Sequence, residues 1–252
     1  MARGLFIVFE GGDSAGKTTQ VRLLANALRA HGVEDVVTTR EPGGTDSGER
    51  LRAALLHGGE VCPAAEALAY AADRAQHVAE VIEPALTAGA IVISDRHLDS
   101  SIAYQVEGRG LRETDVRAVN QLAIGRLVPD LTVLLDIPAA DAERRGRDLG
   151  DRLETAGLPF HERVNRRYRA LAQAAPERYA VIDARLPIGR VHADVLAAVL
   201  PLVRRSEAQN LPGQEPAPAP PATAQPSTPS ARAAAAELAA SWPVTASQEP
   251  RP

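Results

Sequence analysis

A glycine-rich stretch from Gly11 to Thr18 has residue types and spacing that suit the binding of a phosphate group. It fits the pattern of a glycine, four residues and then Gly-Lys-Ser/Thr, and it lies between the apolar run Leu5 to Phe9 and an amphipathic segment. Glycines let the backbone turn tightly enough to aim several N–H groups at one phosphate, and a helix that begins beside Lys17 adds the positive end of its dipole. The stretch predicts a nucleoside triphosphate site made by these residues: Gly11, Gly12, Asp13, Ser14, Ala15, Gly16, Lys17, Thr18 and Thr19.

The composition of the chain singles out Lys17. Among 28 Lys and Arg residues it is the only lysine. A compact ammonium fits between two phosphates inside a tight loop, whereas a planar guanidinium does not. We therefore expect Lys17 to bridge the β- and γ-phosphates and to be catalytic. The alternative is an ordinary glycine-rich turn, which the flanking strand, the helix and the lone lysine disfavour.

Asp95 ends the buried run Ala90 to Ser94, and Arg96 follows it. An acid at the end of a strand in a phosphate-loop protein commonly holds Mg²⁺, which prefers hard oxygen ligands near the phosphates. We predict that Thr18 and Asp95 hold the metal, and that Arg96 contacts the group being transferred.

The loop Thr39 to Thr45 is rich in Gly and Pro and follows a predicted strand. Ligands of open parallel sheets bind at the carboxyl ends of the strands, so Arg40 is a candidate for a second phosphate. The alternative is simple turn chemistry with Arg40 in solvent.

Tyr70 and Arg74 are four residues apart on a predicted helix and share one face. An aromatic ring beside a guanidinium suits a flat base, because the ring can stack and the arginine can donate to a carbonyl oxygen. The alternative is a core tyrosine beside a surface arginine that pairs with Glu66 or Asp73. The residues alone leave both interpretations open.

The segment from about 144 to 157 is basic and is interrupted by glycines, which predicts a lid that carries Arg147 and Arg152. A kinase that transfers a phosphoryl group to another phosphate must neutralise several phosphates in one cleft and exclude water. Arg40, Arg96, Arg147 and Arg152 would meet that need if the fold brought them together. We expect Arg96, Arg147 and Arg152 to be catalytic together with Lys17.

Alternating apolar runs and amphipathic segments predict an α/β protein with the P-loop NTPase fold: a five-stranded parallel sheet flanked by helices, with an Arg-bearing lid. The predicted strands are 3–10, 33–39, 90–94, 131–136 and 179–183. The predicted helices are 17–31, 46–57, 63–88, 112–127, 158–174 and 187–205. The kinase domain would span 1–205. Residues 206–252 hold ten of the 19 prolines and predict a disordered Pro/Ala-rich tail.

Charge and composition exclude several other classes of protein. A formal net charge of −4 argues against nucleic acid or an anionic membrane as the main partner. The single cysteine, Cys62, excludes an internal disulfide, suits a reducing compartment and is expected to be buried or half-buried. We found neither a signal peptide nor an apolar run of membrane-spanning length, so we expect a cytoplasmic protein.

Four motifs occur in order along the chain. They are the phosphate loop 11–18, the stretch Thr-Arg-Glu-Pro-Gly-Gly-Thr at 39–45, Asp95-Arg96 followed by Ser100 and Ala103-Tyr104-Gln105, and Asp151-Arg152-Leu153-Glu154 in the lid. Together they resemble the thymidylate kinases, which transfer a phosphoryl group from ATP to dTMP. The resemblance covers 1–205, leaves the tail without a counterpart, and implies Mg²⁺ with ATP and a homodimer.

The resemblance also implies a dTMP site made by Asp13, Arg40, Pro42, Arg52, Tyr70, Arg74, Arg96, Ser101, Tyr104 and Gln105. In that site Asp13 would bind the 3′-hydroxyl and Arg40 the phosphate. Tyr70 would stack on thymine, Arg74 would bind its O4, and Ser101 and Gln105 would lie near the other polar edge. Tyr104 would press on the sugar where a 2′-hydroxyl would be.

Two positions depart from one or another form of the family pattern. Tyr70 stands where the family usually has phenylalanine, and Ser14 stands where one branch has arginine. The second difference resembles the other, mostly bacterial branch, in which lid arginines supply the charge. Arg147 and Arg152 are then the main candidates, with Arg145 a third. Glu41-Pro42 resembles the family's cis peptide.

Three alternatives remain open from the sequence. The first is a kinase for another nucleoside monophosphate on the same scaffold. The second is a non-catalytic P-loop nucleotide switch, although the chain has no Asn/Thr-Lys-x-Asp motif for reading guanine. The third is a kinase whose tail recruits it to an assembly through a partner that the sequence does not identify.

Overall fold

The computed structural model describes residues 3–145 and 157–210, and these residues contain a five-stranded parallel sheet. The sheet order is β2-β3-β1-β4-β5. The strands are β1 (Phe6–Glu10), β2 (Val36–Arg40), β3 (Ile91–Asp95), β4 (Leu131–Asp136) and β5 (Tyr179–Asp183). The predicted number of strands and their parallel arrangement are therefore confirmed, and β3 lies between the first two strands of the chain.

Successive residues of β1 pack on opposite faces of the sheet, as the pleat requires. Ile7 and Phe9 belong to a core that includes residues of the first and last helices, whereas Phe6 and Val8 belong to a separate core. Because both faces are covered, β1 is buried at all five positions. This is why its sequence is a continuous apolar run rather than an alternating one.

The described helices occupy most of the ranges that the sequence predicts. They are α1 (Lys17–Ala30), α2 (Asp46–His57), α3 (Pro63–His77), α4 (Glu83–Thr87), α5 (Leu98–Ser101), α6 (Glu113–Ile124), α7 (Ala139–Arg145), α8 (Leu158–Ala174) and α9 (Ile188–Asn210). Two wider π-helical segments, Val78–Ile82 and Ile102–Gly108, follow α3 and α5, and a 3-10 turn spans Pro176–Arg178. Thr45 is the N-cap residue of α2, and its hydroxyl accepts a hydrogen bond from the Gly48 N–H at 2.9 Å.

Three details differ from the expectations. The predicted helix 63–88 consists of α3, the π segment and α4 rather than one regular helix. The last helix continues to Asn210, so the predicted tail boundary at 206 falls inside α9. Cys62 is exposed, because it lies just before the first turn of α3. The rest of the predicted tail, 211–252, lies outside the described residues.

The sheet register explains how distant parts of the chain meet at one edge. Asp95 pairs with Phe9 of β1 and with Arg40 of β2, so β1, β2 and β3 end at the same level. The phosphate loop, the loop after Arg40 and the segment after Asp95 therefore leave the sheet side by side. Among the described helices, none combines the length and the apolar character needed to cross a membrane.

Candidate active site

A cavity of about 920 Å³ opens at this carboxyl edge. It is lined by fourteen of the predicted site residues: Asp13, Ser14, Lys17, Thr18, Arg40, Pro42, Arg52, Tyr70, Arg74, Asp95, Arg96, Ser101, Tyr104 and Gln105. Gly11, Gly12, Ala15, Gly16 and Thr19 belong to the same predicted loop and helix start but do not line it. The side chain of Ala15 instead packs into the core.

The phosphate loop is shaped by its glycines. Gly11 has a φ of 140°, and a Cβ on it would come within 2.5 Å of the Leu135 carbonyl oxygen. Only glycine fits there. The Lys17 Nζ donates to the carbonyl oxygens of Gly12 at 2.7 Å and Gly11 at 3.1 Å. Burial and the nearby Arg96 lower the pKa of Lys17 to about 8.

Thr18 and Asp95 meet directly at the mouth of the loop. The Thr18 hydroxyl donates to Asp95 Oδ2 at 2.6 Å, although 77 residues separate the two in sequence. A hydroxyl and a carboxylate placed together beside a phosphate loop are the hard oxygen donors that Mg²⁺ uses. The two predicted metal ligands are therefore adjacent.

Arg96 lines the cavity and makes several contacts there. Its backbone has a φ of 74°, the left-handed region that a non-glycine residue seldom adopts, and its N–H donates to the Phe9 carbonyl oxygen at 2.9 Å. Its guanidinium donates to Asp13 and to the Gly11 carbonyl oxygen at 3.1 Å. This backbone conformation is strained, and such strain persists mainly at functional sites.

Asp13 links Arg96 to Tyr104. Asp13 Oδ1 accepts from Arg96, and Oδ2 accepts from the Tyr104 hydroxyl at 2.9 Å. Burial alone would raise the pKa of Asp13, but the charges of Arg96 and Lys17 overcome that effect and lower it. Asp13 is therefore a fixed carboxylate at neutral pH, available as an acceptor for a hydroxyl group.

Glu10, a residue that the sequence analysis missed, binds groups that contact Arg96. One carboxylate oxygen accepts the His97 N–H at 2.9 Å and the Ser100 N–H at 3.1 Å. The other accepts the hydroxyls of Ser100 at 2.7 Å and Tyr168 at 2.9 Å. Both hydroxyls also lie within 3.2 Å of Arg96 Nη1. Each of these two hydroxyl groups donates its proton to Glu10. The lone pairs of the hydroxyl oxygens are therefore left to accept from Arg96.

The loop after β2 places two arginines differently. Arg40 is about half exposed, and its Nη2 donates to both carboxylate oxygens of Glu49, at 2.9 and 3.1 Å. Arg52 donates from Nη1 to the Pro42 carbonyl oxygen at 3.0 Å. The Glu41–Pro42 peptide bond is cis, as the resemblance implies. Arg40 therefore faces both the cavity and solvent, where a phosphate could reach it.

Arg74 also lines the cavity but is buried, with 1 % of its surface exposed. Its Nε donates to Glu41 Oε2 at 2.7 Å, and its Nη2 donates to the His97 carbonyl oxygen at 2.9 Å. Its Nη1 donates to the Ser101 hydroxyl at 3.0 Å and to Asn120 Oδ1. The alternative of a surface arginine paired with Glu66 or Asp73 is therefore wrong. Tyr70 is buried and lines the same cavity.

Glu41 is the buried carboxylate that pairs with Arg74. Its Oε1 is hydrogen-bonded to the Nδ1 atoms of His77 and His97, at 3.0 and 2.9 Å. Burial alone would raise the pKa of Glu41, but Arg74 and His97 hold it well below its ordinary value. Gln105 also lines the cavity and donates to the buried Glu66 at 3.1 Å. The charged groups around Arg74 are therefore already paired.

The described residues do not include the two main lid arginines of the predicted site. Arg147 and Arg152 lie outside the described residues, and their roles stay predictions. Arg145, the third candidate, donates to the Ala184 carbonyl oxygen at 2.9 Å and does not line the cavity.

Glu10, Tyr168 and Asn120 are among the described residues of the site that were not found from the sequence. Glu10 carried a usable signal, because an acid that ends a fully buried strand needs partners. Tyr168 and Asn120 carried none, since each is one polar residue on an amphipathic helix. Their partners, Glu10 and Arg74, lie 158 and 46 residues away.

The chain is similar to known proteins over most of its described length. The family model described as thymidylate kinase matches residues 9–195. A thymidylate kinase of Clavibacter sepedonicus is 50 % identical over 198 residues, which cover 77 % of this chain and 93 % of that protein. A thymidylate kinase of a Synechococcus strain is 53 % identical over 180 residues, covering 71 % of this chain and 87 % of that protein. A crystal structure of thymidylate kinase from Ehrlichia chaffeensis superposes with a TM-score of 0.66 at 33 % identity, covering 78 % of this chain and 99 % of that one.

Proposed function

The chain belongs to the thymidylate kinase family and catalyses the ATP-dependent phosphorylation of dTMP to dTDP, and we propose that the cavity described above is where this reaction takes place. One observation supports the assignment to this cavity. Lys17, Arg40 and Arg96, which we propose to bind phosphates (the phosphate end), line the same cavity as Tyr70 and Arg74, which we propose to bind the base (the base end). No observation favours a kinase for another nucleotide or a non-catalytic switch.

In the proposed arrangement the triphosphate of ATP lies on the phosphate loop and dTMP lies toward Tyr70 and Arg74. A phosphate oxygen of dTMP attacks the γ-phosphorus, the bond from that phosphorus to the β–γ bridging oxygen breaks, and ADP leaves. Lys17 and Arg96 stabilise the negative charge that spreads over the transferring group. Arg40 binds the dTMP phosphate in place of its contact with Glu49.

The nucleoside part of dTMP would be held by groups already fixed in the structure. Asp13 accepts the 3′-hydroxyl, and Tyr104, whose hydroxyl donates to Asp13, packs against the sugar. Tyr70 stacks on thymine and Arg74 donates to O4. Arg52 and Pro42 complete the wall beside the phosphate. Ser101 and Gln105 lie beside the remaining polar edge of the base.

Thr18 and Asp95 fit a Mg²⁺ ion. Their oxygen atoms are 2.6 Å apart and both are hard donors. Within the described part of the chain there is no cluster of three or more His, Cys, Asp or Glu residues that could hold a metal. Mg²⁺ keeps several waters and phosphate oxygens as ligands, so it needs few ligands from the protein. When bound, it would neutralise charge on the β- and γ-phosphates.

The proposal retains the lid from the sequence. Arg147 and Arg152 would neutralise the γ-phosphate and exclude water, because the phosphate loop of this chain has Ser14 where an arginine could otherwise act. Separate Arg147→Ala and Arg152→Ala variants would identify the more important arginine by the larger loss of kcat. If both variants kept the kcat of the natural protein, the lid assignment would be wrong.

We further propose a cytoplasmic homodimer. Leu122 of α6 is 90 % exposed and Leu68 of α3 is 56 % exposed, and large apolar side chains exposed to this degree on neighbouring helices suit a self-interface. Light scattering of the full chain should give twice its mass of 26.6 kDa, and Leu122→Glu should shift it toward the monomer. A monomeric natural protein would reject this part of the proposal.

The reaction is tested by ADP release measured in a coupled assay with and without dTMP. Release should depend on dTMP, and side-by-side kcat/KM values should favour dTMP over dUMP, dCMP and GMP. Slow hydrolysis that ignores dTMP would indicate a nucleotide switch instead. A clear preference for dCMP or GMP would indicate a different nucleoside monophosphate kinase.

A further inference from the structure

Asn120 is a buried amide beneath the base end of the cavity. It lies on α6 with 1 % of its surface exposed, and it is not among the residues that line the cavity. Its Nδ2 donates to the Val116 carbonyl oxygen at 2.7 Å. That bond fixes the orientation of the amide, so that Oδ1 is the atom presented to Arg74 Nη1.

The hydrogen bonds of Arg74 leave little of its guanidinium uncommitted. An arginine has five N–H donors. Nε is used by Glu41, the two donors of Nη1 by Ser101 and Asn120, and one donor of Nη2 by the His97 carbonyl oxygen. The fifth N–H, on Nη2, has no partner in the described ranges, and Arg74 lines the cavity.

We infer that Asn120 is a positioning residue for base selection: it holds Arg74 so that a single N–H of fixed direction faces the 4-position of the pyrimidine. This inference rests on the proposed function. A guanidinium can only donate, so a fixed donor favours a 4-oxo group and opposes a 4-amino group, which is also a donor. The rigidity of Arg74 thus discriminates against a cytosine base.

Asn120 contributes a contact that Glu41 cannot replace. The bond from Glu41 to Nε anchors the near side of the guanidinium, and the main-chain bond from His97 anchors Nη2. Without Asn120, Nη1 keeps only the Ser101 hydroxyl, and a buried N–H of a charged group loses its acceptor. The guanidinium is then free to tilt toward another acceptor, which moves the Nη2 donor away from its fixed direction.

The test compares two pairs of substrates in three variants of the full chain. Thymidylate and 5-methyl-dCMP differ only at the 3,4-edge of the base, whereas dTMP and dUMP differ only in the methyl group. The kcat and KM of dTMP and dUMP would be measured at saturating ATP, together with the kcat/KM or the inhibition constant of 5-methyl-dCMP. The variants are Asn120→Leu, which removes the acceptor, Asn120→Asp, which keeps one, and Gln20→Leu as a control.

Gln20 is a matched control because it is another buried amide. Its Nε2 donates to the Ile188 carbonyl oxygen at 3.1 Å, and it neither lines the cavity nor contacts Arg74. Thermal unfolding of every variant accompanies the kinetics. A loss of stability without a change in base selection is what a purely structural amide would show.

In Asn120→Leu we expect the preference for dTMP over 5-methyl-dCMP to fall about tenfold, as loss of one buried bond to a charged group implies. The KM of dTMP should rise more than its kcat falls, and the preference for dTMP over dUMP should stay the same. Asn120→Asp should recover most of the lost preference, and Gln20→Leu should keep all of it.

The inference is overturned if folded Asn120→Leu keeps the natural preference, if Gln20→Leu loses it equally, or if Asn120→Asp behaves like Asn120→Leu. If Asn120→Leu does not fold, Asn120→Ser takes its place in the same comparison. Failure of the proposed function looks different, because the natural protein itself would then not phosphorylate dTMP.

Discussion

At the base end of the cavity, Arg74 is buried and has four protein acceptors, whereas at the phosphate end Arg40 is about half exposed and has one carboxylate partner. Lys17 also lies at the phosphate end, and its partners are two main-chain carbonyl oxygens of its own loop. The base end is therefore organised by bonds within the protein. Lys17 and Arg40 have contacts that a phosphate oxygen can replace, whereas Arg96 is fixed by Asp13, the Gly11 carbonyl oxygen and two hydroxyl groups. We therefore expect Lys17 to show its importance mainly in the reaction.

The largest effect that would test this contrast is expected from Lys17→Ala. We expect kcat to fall about 10²- to 10³-fold, because the charge of Lys17 matters most as the phosphoryl group moves. The dissociation constant of dTMP, measured by calorimetry, should change far less. Equal losses of turnover and dTMP affinity would contradict the assigned role and remove the distinction between the two ends. Lys17→Arg should not restore the rate, since a planar guanidinium does not fit the loop.

At the base end, Glu41→Gln should lower the free energy of unfolding by about 3 kcal/mol, because it leaves the buried charge of Arg74 without its carboxylate. Urea unfolding of the natural and variant proteins measures this value. A change below about 1 kcal/mol would mean that the base end is not stabilised by its internal ion pair.

Glu10 adds a second test of this comparison, because it is a buried carboxyl group that contacts residues around Arg96. Burial, followed by the charge of Asp99, raises the pKa of Glu10 from its ordinary 4.5 to about 7. A raised carboxyl pKa means that the folded protein binds the proton more tightly than the unfolded chain. The associated stability is therefore present at low pH and is lost as pH rises toward 7.

Glu10→Gln has no proton to lose at this position. The stability of the natural protein relative to this variant should therefore fall by about 2 kcal/mol between pH 5 and pH 8. Urea unfolding across this range gives the difference, and Gln20→Leu serves as a non-ionisable control that should show no such trend. A difference that is constant with pH would show that Glu10 stays ionised throughout.

The smallest effect is expected from Glu49→Gln, which removes the partner of Arg40. The pair is exposed, so the free energy of unfolding should change by less than about 1 kcal/mol. The KM of dTMP should not rise, because Arg40 then loses only a competitor for the phosphate. A rise of several-fold would mean that Glu49 positions Arg40 instead of competing for it.

The sequence predicted the strands and the phosphate loop because both depend on local patterns. A continuous apolar run makes a buried strand, and Gly11 is needed where a side chain would meet the Leu135 carbonyl oxygen. The convergence of Arg40, Arg96 and Lys17 could also be predicted, since parallel strands end at one edge. The partners of Arg74 could not, because Glu41, Asn120 and Ser101 come from three different segments and only tertiary packing brings them together.

The end of the last helix is the boundary that the sequence predicted least well, since the helix ends at Asn210 and not at residue 205. Val191, Val195, Val199 and Val203 give α9 its buried face, and no glycine or proline marks a stop at residue 205. Helical propensity then accounts for the continuation of the helix past Val203 to Asn210.

Having one lysine in the whole chain also gives the protein a built-in spectroscopic reporter. Protein produced with lysine labelled with ¹⁵N at Nζ would contribute a single side-chain signal, and that signal would come from the phosphate loop. Titration of this one resonance with ATP, and then with dTMP, would follow each nucleotide's arrival without any mutation or attached probe.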